Sequence, residues 1–168
     1  MTCLNYLPIT SDILFVCLLL RCVAIVADRP ATVDSRKKIG SGSAMAPRIL
    51  IIDDSPEVRY MMRKLFESEP GWLICGEATN GKEGIEMAER IHPNLIILDL
   101  SMPVMNGLDA AKILNHSMPT VPLIMFTSFQ TDVLREEAIA AGISKIVLKS
   151  GPLGELMNCV RVFAKDAA

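Results

Sequence analysis

This chain lacks the ingredients of several familiar protein classes. Its 168 residues include five cysteines, an odd number, and no two of them form a Cys-x-x-Cys pair. Cys3, Cys17 and Cys22 lie near the start, with Cys75 and Cys159 far downstream. That spacing suits neither a disulfide scaffold nor a zinc cage, so the cysteines read as small apolar residues in a reducing compartment. Neither sign of charge dominates. The 17 Lys and Arg against 19 Asp and Glu leave a formal net charge of −2, and no basic stripe of the kind that grips nucleic acid is present. No internal repeat is visible. The two histidines, His92 and His116, fall at a helix end and near a turn, where both read as surface residues.

A long uninterrupted apolar run is also missing. Residues 13–27 (ILFVCLLLRCVAIVA) come nearest, with Arg21 near the centre of the stretch. A membrane-spanning helix needs about 20 apolar residues, more than this run offers, and tolerates such a charge poorly. A secretory leader would carry positive charge before its apolar part, whereas Asp12 and no Lys or Arg precede this one. Residues 28–46 are polar and rich in Ser, Gly and Pro, as a linker is. Three readings of the N-terminal segment stay open: an extension upstream of a true start at Met45, a membrane-associating segment, or a cleaved leader. The expected division is residues 1–46 as extension and linker and 47–168 as one globular domain. The chain is 51% hydrophobic, enough for one core and too short for two ordinary domains.

From Arg48 the pattern alternates between short apolar runs and helical periods. RILII at 48–52 reads as a buried strand. Ser55 can cap a helix with Pro56 at its first position, and Val58, Met61, Met62, Leu65 and Phe66 share one face. Glu69-Pro70-Gly71 ends that helix, and Trp72–Ala78 forms a second strand. Asn80 and Glu83 resemble a capping box for a helix to about Ile91. Strands at Leu95–Leu98, Val121–Phe126 and Lys145–Leu148 alternate with helices marked by Leu108, Ala111 and Leu114, by Leu134, Ala138 and Ala141, and by Leu153 to Ala164. Strands that alternate with helices, several of them continuous apolar runs, imply an α/β fold: a doubly wound five-stranded parallel sheet with helices on both faces. Right-handed crossovers leave few topologies, and the flavodoxin-like order 2-1-3-4-5 is the expected one.

In open α/β sheets, ligands bind beyond the carboxyl ends of the strands, where the strand order reverses. Here strand one ends in Asp53-Asp54, strand three in Asp99, strand four in Thr127-Ser128 and strand five in Lys149. Order 2-1-3 makes strands one and three neighbours, so three carboxylates converge and repel one another. A divalent cation removes that penalty, and oxygen-only ligands favour magnesium, calcium or manganese. Lys149 adds a mobile positive charge and Thr127 a hydroxyl donor. The set suits in-line phosphoryl transfer, where positioning and charge neutralisation supply most of the catalysis. The histidines stand apart from it and do not read as phosphate carriers.

These residues resemble the receiver domain of two-component response regulators. The likeness runs from about Pro47 to Lys165 through ILIIDDSPEVR, LIILDLSMPVMNGLD, LIMFTS and KIVLKS, in order. The resemblance implies that Asp99 is the phosphoacceptor, Asp54 a direct magnesium ligand and Asp53 an acidic partner acting largely through water. It gives the Ser101 backbone carbonyl as a third protein ligand, Thr127 as the hydroxyl that moves onto the phosphoryl group, and Lys149 as the phosphate-pairing lysine. It further implies a cytoplasmic protein with Mg2+ as cofactor and a sensor histidine kinase or phosphotransfer protein as donor. An unidentified downstream protein, or a phosphorylation-dependent dimer, would read the switch. Nothing of domain size follows the last helix, so no nucleic-acid contact in cis and no enzyme activity beyond self-phosphorylation and dephosphorylation are expected.

Two departures from the family pattern stand out. Ile146 occupies the place of a common aromatic switch residue, and Ser150 the place of a proline that often follows the lysine in a cis peptide. No cis bond is expected before Ser150, because without proline it costs about 2.5–4 kcal/mol. The resemblance also implies that Ser101 and Phe129 flank the path of the water that hydrolyses the phosphoryl group, and the Phe129 ring is expected to slow attack about tenfold. The competing readings fare worse. A phosphorylation-independent module of the same fold would have lost an acid, Thr127 or Lys149. A flavin carrier needs a Ser/Thr/Gly-rich phosphate loop where Asp53-Asp54-Ser55-Pro56 stands, and an aspartate-nucleophile phosphatase commonly has an acid at position 101.

Overall fold

A computed structural model describes residues 47–166. The N-terminal extension, with the membrane-segment and leader readings of residues 13–27, lies outside the described residues. Five strands and five helices alternate: β1 (Arg48–Ile52), α1 (Pro56–Glu67), β2 (Leu73–Ala78), α2 (Gly81–Ile91), β3 (Leu95–Leu98), α3 (Gly107–Ser117), β4 (Leu123–Thr127), α4 (Asp132–Ala140), β5 (Lys145–Leu148) and α5 (Leu153–Asp166). All strand pairs are parallel and the sheet order is 2-1-3-4-5, the expected flavodoxin-like arrangement.

The three inner strands are apolar because both of their faces are covered. Leu50, Ile52, Ile96, Leu98, Leu123 and Met125 form one buried cluster with Ala88 of α2, Ala110, Ala111 and Leu114 of α3, and Leu134 and Ala138 of α4. Their alternating neighbours Ile49, Ile51, Leu95, Ile97, Ile124 and Phe126 are equally buried. On that second face α1 packs against β2, and α5 against β3 and β5. Each such side chain stabilises the fold by about 1.5–3 kcal/mol relative to exposure.

Side-chain caps start the helices. Ser55 Oγ accepts from Val58 N at 3.3 Å with Pro56 in the first turn, as its position predicts. Asn106 and Thr131 cap α3 and α4 in the same way, accepting from Asp109 N and Leu134 N. At α2 the capping box is displaced by one residue. Asn80 Oδ1 accepts from Glu83 N at 3.0 Å, but the Glu83 carboxylate reaches back to Thr79, taking its N–H at 2.8 Å and its hydroxyl at 2.7 Å. These bonds hold the Glu83 carboxyl below its ordinary value.

Two strand boundaries differ from expectation. β2 begins at Leu73, because Trp72 N closes a turn onto Glu69 O and its ring tilts against Phe66, centroids 5.6 Å apart. β4 runs from Leu123 to Thr127, two residues later at its start: Pro122 has no N–H to give to a ladder. The β1–β2 pairing also slips by one residue. Ile49 faces Ile74 but Leu50 faces Gly76, which leaves Cys75 as an extra residue whose Sγ lies 3.3 Å from Ile49 O. No cis peptide bond occurs among the described residues.

Candidate functional site

The strands that build the core also deliver the site. β1 and β3 are in register, Ile52 beside Leu98, and the next residue of each is an aspartate. Asp99 N donates to Ile52 O at 2.8 Å, and Asp53 N to Ala78 O at 3.1 Å, so ladder-type bonds fix both backbones one step past the strands. On the other side Thr127 pairs with Leu148 across β4 and β5, and Lys149 N donates to Thr127 O at 2.8 Å. Four polar residues therefore stand together at the carboxyl edge, and all are buried: Asp53 1% exposed, Asp99 5%, Thr127 1% and Lys149 9%.

Lys149 lies between the two buried acids, its Nζ 2.8 Å from Asp53 Oδ2 and 3.1 Å from Asp99 Oδ1. The first contact is an ion pair outside hydrogen-bond geometry, and Asp53 Oδ2 is a buried acceptor with no hydrogen-bond donor. The other oxygens are held locally: Ser55 N donates to Asp53 Oδ1 at 2.9 Å, and Ser101 N to Asp99 Oδ2 at 3.2 Å. Burial pushes the Asp53 carboxyl above its ordinary value; the Lys149 charge and the Ser55 N–H pull the other way, and Asp99 adds to the rise. Phe126 supports the lysine, its ring centroid 6.0 Å from Nζ.

Asp54 turns outward and is exposed, yet one carboxylate oxygen from each of Asp53, Asp54 and Asp99 falls within 4.8 Å of the others. Three converging carboxylates fit a hard cation such as Mg2+, which takes oxygen ligands and keeps several waters. Asp53, Asp54, Asp99, Thr127 and Lys149 thus meet at one edge. Ser101 adjoins Asp99 and is exposed. Phe129 also borders the edge, with its N–H 3.3 Å from Thr127 Oγ1, and the residue is 64% exposed. His92 and His116 are both exposed on the surface, and His92 closes α2 in a left-handed conformation, φ 48°.

Residues 49–161 match the family described as "response regulator receiver domain", about two thirds of the chain. The chain belongs to this family. Among its relatives, the chemotaxis protein CheY of Thermotoga maritima is 33% identical over 105 residues, covering 62% of this chain and 87% of that protein. A protein-glutamate methylesterase/protein-glutamine glutaminase of Methanosarcina acetivorans is 42% identical over 105 residues, or 61% of this chain and 30% of that protein. The chain therefore spans less than a third of the length of such methylesterases. The response regulator domain of Thermotoga maritima CheB superposes with a TM-score of 0.66 at 27% identity, covering 71% of this chain and 97% of that one.

Two residues of this receiver escaped the sequence reading. Arg59, on α1, donates from Nη1 to the carbonyls of Asp53 and Asp54, and Glu77, on β2, pairs with both Arg59 and Arg63. Nothing in the sequence sets these residues apart from ordinary surface charges. Only the distance of four between the arginines, which puts both on one helix face, hints at a shared acidic partner.

Proposed function

We infer that this chain is a phosphorylatable switch, in which Asp99 accepts a phosphoryl group from a histidine kinase or phosphotransfer protein and the change is read by another protein. One observation carries the reading: two buried aspartates and an exposed one converge within 4.8 Å beside a buried lysine that pairs with both buried acids. Such a cluster is costly to bury for structure alone.

In the mechanism this supports, a carboxylate oxygen of Asp99 forms the bond to phosphorus as the bond from phosphorus to the donor breaks in line, and the donor leaves with that electron pair. Lys149 already neighbours Asp99 and pairs with the transferred group as its charge settles there. The Thr127 hydroxyl accepts from Phe129 N and retains its own proton to donate to a phosphoryl oxygen. Asp54, Asp53, Asp99 and the Ser101 carbonyl would hold Mg2+, which supplies charge neutralisation for the acids and the phosphoryl oxygens. Ile146 is partly buried against the core cluster and has no aromatic ring to swing, so the switch works without an aromatic rotamer at that position. Output passes through altered protein contacts, which include a phosphorylation-dependent dimer. Cytoplasmic location is part of the same proposal; among the described residues no helix is long and apolar enough to cross a membrane.

The test is covalent labelling by acetyl phosphate in magnesium, read by intact mass. The wild type should gain one phosphoryl group. Asp99→Asn should gain none, because an amide is no nucleophile, and a chelator should silence the wild type. Labelling of Asp99→Asn at the wild-type rate would sink the assignment.

A further inference from the structure

Asp54 poses a question the acidic site leaves open. It is the exposed member of the carboxylate trio, and its direction depends on the peptide units on either side of it. Those units are gripped from α1. Arg59 folds back over the start of its own helix, and its Nη1 donates to Asp53 O at 2.7 Å and to Asp54 O at 3.2 Å. One guanidinium nitrogen thus ties down the carbonyls of both acidic residues.

The guanidinium is itself fixed. Its Nε lies 3.5 Å from Glu77 Oε2, and the second Glu77 oxygen, buried and outside hydrogen-bond geometry, meets Arg63 Nη2. The Arg59 side chain is 16% exposed and that of Glu77 20%, so this is no solvated surface pair. Glu77 comes from the strand beside β1, where it faces Ile51. The chain of contacts runs from β2 through Glu77 and Arg59 to the two carbonyls, and so to the carboxylates they orient.

We propose that Arg59, oriented by Glu77, is a positioning residue for the acid pair Asp53-Asp54, holding their peptide units so that the carboxylates are set for a divalent cation. The proposal rests on the reading that these acids bind magnesium. Its sign distinguishes it from plain electrostatics. A positive charge near a cation site repels the cation, so on charge alone Arg59→Ala would tighten binding. If Arg59 acts by positioning, its loss weakens binding. A lysine keeps the charge but lacks the fork that spans carbonyls and carboxylate together.

The experiment titrates magnesium chloride into the full-length chain by calorimetry and measures the acetyl phosphate labelling rate across the same range. Arg59→Ala should raise the magnesium midpoint about tenfold, the lower end of what the loss of a partner behind metal ligands costs. Its labelling rate at saturating magnesium should return to within about twofold of wild type, the split expected of a residue that acts through others. Arg59→Lys should rescue only in part, and Glu77→Gln should shift the midpoint by about threefold. Arg63→Ala, which touches Glu77 but not the acid loop, should lower the melting temperature without moving the midpoint. An unchanged or lower midpoint in Arg59→Ala would overturn the proposal, and Arg59→Lys with Glu77→Gln decides it alone should Arg59→Ala fail to fold. A wild type that binds no magnesium would instead sink the site reading itself, and this inference with it.

Discussion

The body of strand β1 and its carboxyl end are buried almost equally and behave as opposites. Ile49 to Ile52 are 0% exposed and Asp53, the next residue, is 1% exposed. In the strand, burial removes apolar surface from water and supports the fold. One residue later, the same burial desolvates a carboxylate beside Asp99 and raises its pKa, with Lys149 offsetting the cost in part. β3 repeats the change between Leu98 and Asp99, and β4 between Phe126 and Thr127. The lesson is that the candidate site lies where burial stops stabilising, at the carboxyl ends of the strands that build the core.

Adjacent substitutions should therefore have opposite signs. Ile52→Ala removes a fully buried side chain that packs against Gly84 as well as the core cluster, and should cost about 2–5 kcal/mol in urea unfolding. Asp53→Asn, measured in chelator at neutral pH, should instead stabilise the protein, because it removes a desolvated charge while Lys149 stays paired with Asp99. The pH dependence follows from the raised pKa. Asp53 favours folding below its ordinary value of 3.8 and loses that contribution as pH climbs through the raised folded value. The advantage of Asp53→Asn should thus be small near pH 4, widen toward neutrality, and shrink when magnesium is added to the wild type. A less stable Asp53→Asn at neutral pH without metal would mean that the Lys149 ion pair outweighs burial, and the contrast between strand and strand end would collapse.

The loop after β3 extends the comparison to backbone strain. Val104 is 82% exposed and holds φ 69°, a region that a β-branched residue rarely enters. Val104→Gly relieves the strain at the cost of unfolded-state freedom, and a net gain of about 1 kcal/mol is expected from thermal melting. No change would show that packing around Val104 compensates the strain. The smallest effect belongs to Phe129. With the residue 64% exposed, the ring gives less cover than its bulk suggests, so Phe129→Ala should speed loss of the Asp99 phosphoryl group by about threefold rather than tenfold, a barrier change of about 0.6 kcal/mol. A slower decay would place the ring's role elsewhere.

The sequence disclosed the strand ends well because the transition from LIIL to Asp99 or from RILII to Asp53 is abrupt, and sheet order then brings them together. It disclosed boundaries less well. Trp72 reads as a strand residue on propensity but turns to Phe66, and Val121 is cut off from its strand by Pro122. Arg59 and Glu77 stayed hidden because each looks like a surface charge until α1 is laid beside β2. The extra residue Cys75 was equally silent: its effect depends on which residue of β1 it faces, and periodicity does not record that.

That slip at Cys75 has a consequence for how the length of this chain can vary. Beyond it, Gly76, Glu77 and Ala78 are matched to Leu50, Ile51 and Ile52, while before it Ile74 is matched to Ile49. Cys75 alone has no counterpart, so excising it would join two stretches already in step and leave Glu77 facing Ile51. Losing Gly76 instead would put Cys75 opposite Leu50, where a Cβ would run into the side chains of Met87 and Ile91, and losing Glu77 or Ala78 would shift the residues between Cys75 and the gap onto the other face. The middle of a strand is usually the worst place to shorten a protein. Here it contains one position where a deletion should be tolerated, and a family member lacking that residue could keep every other pairing of β1 with β2.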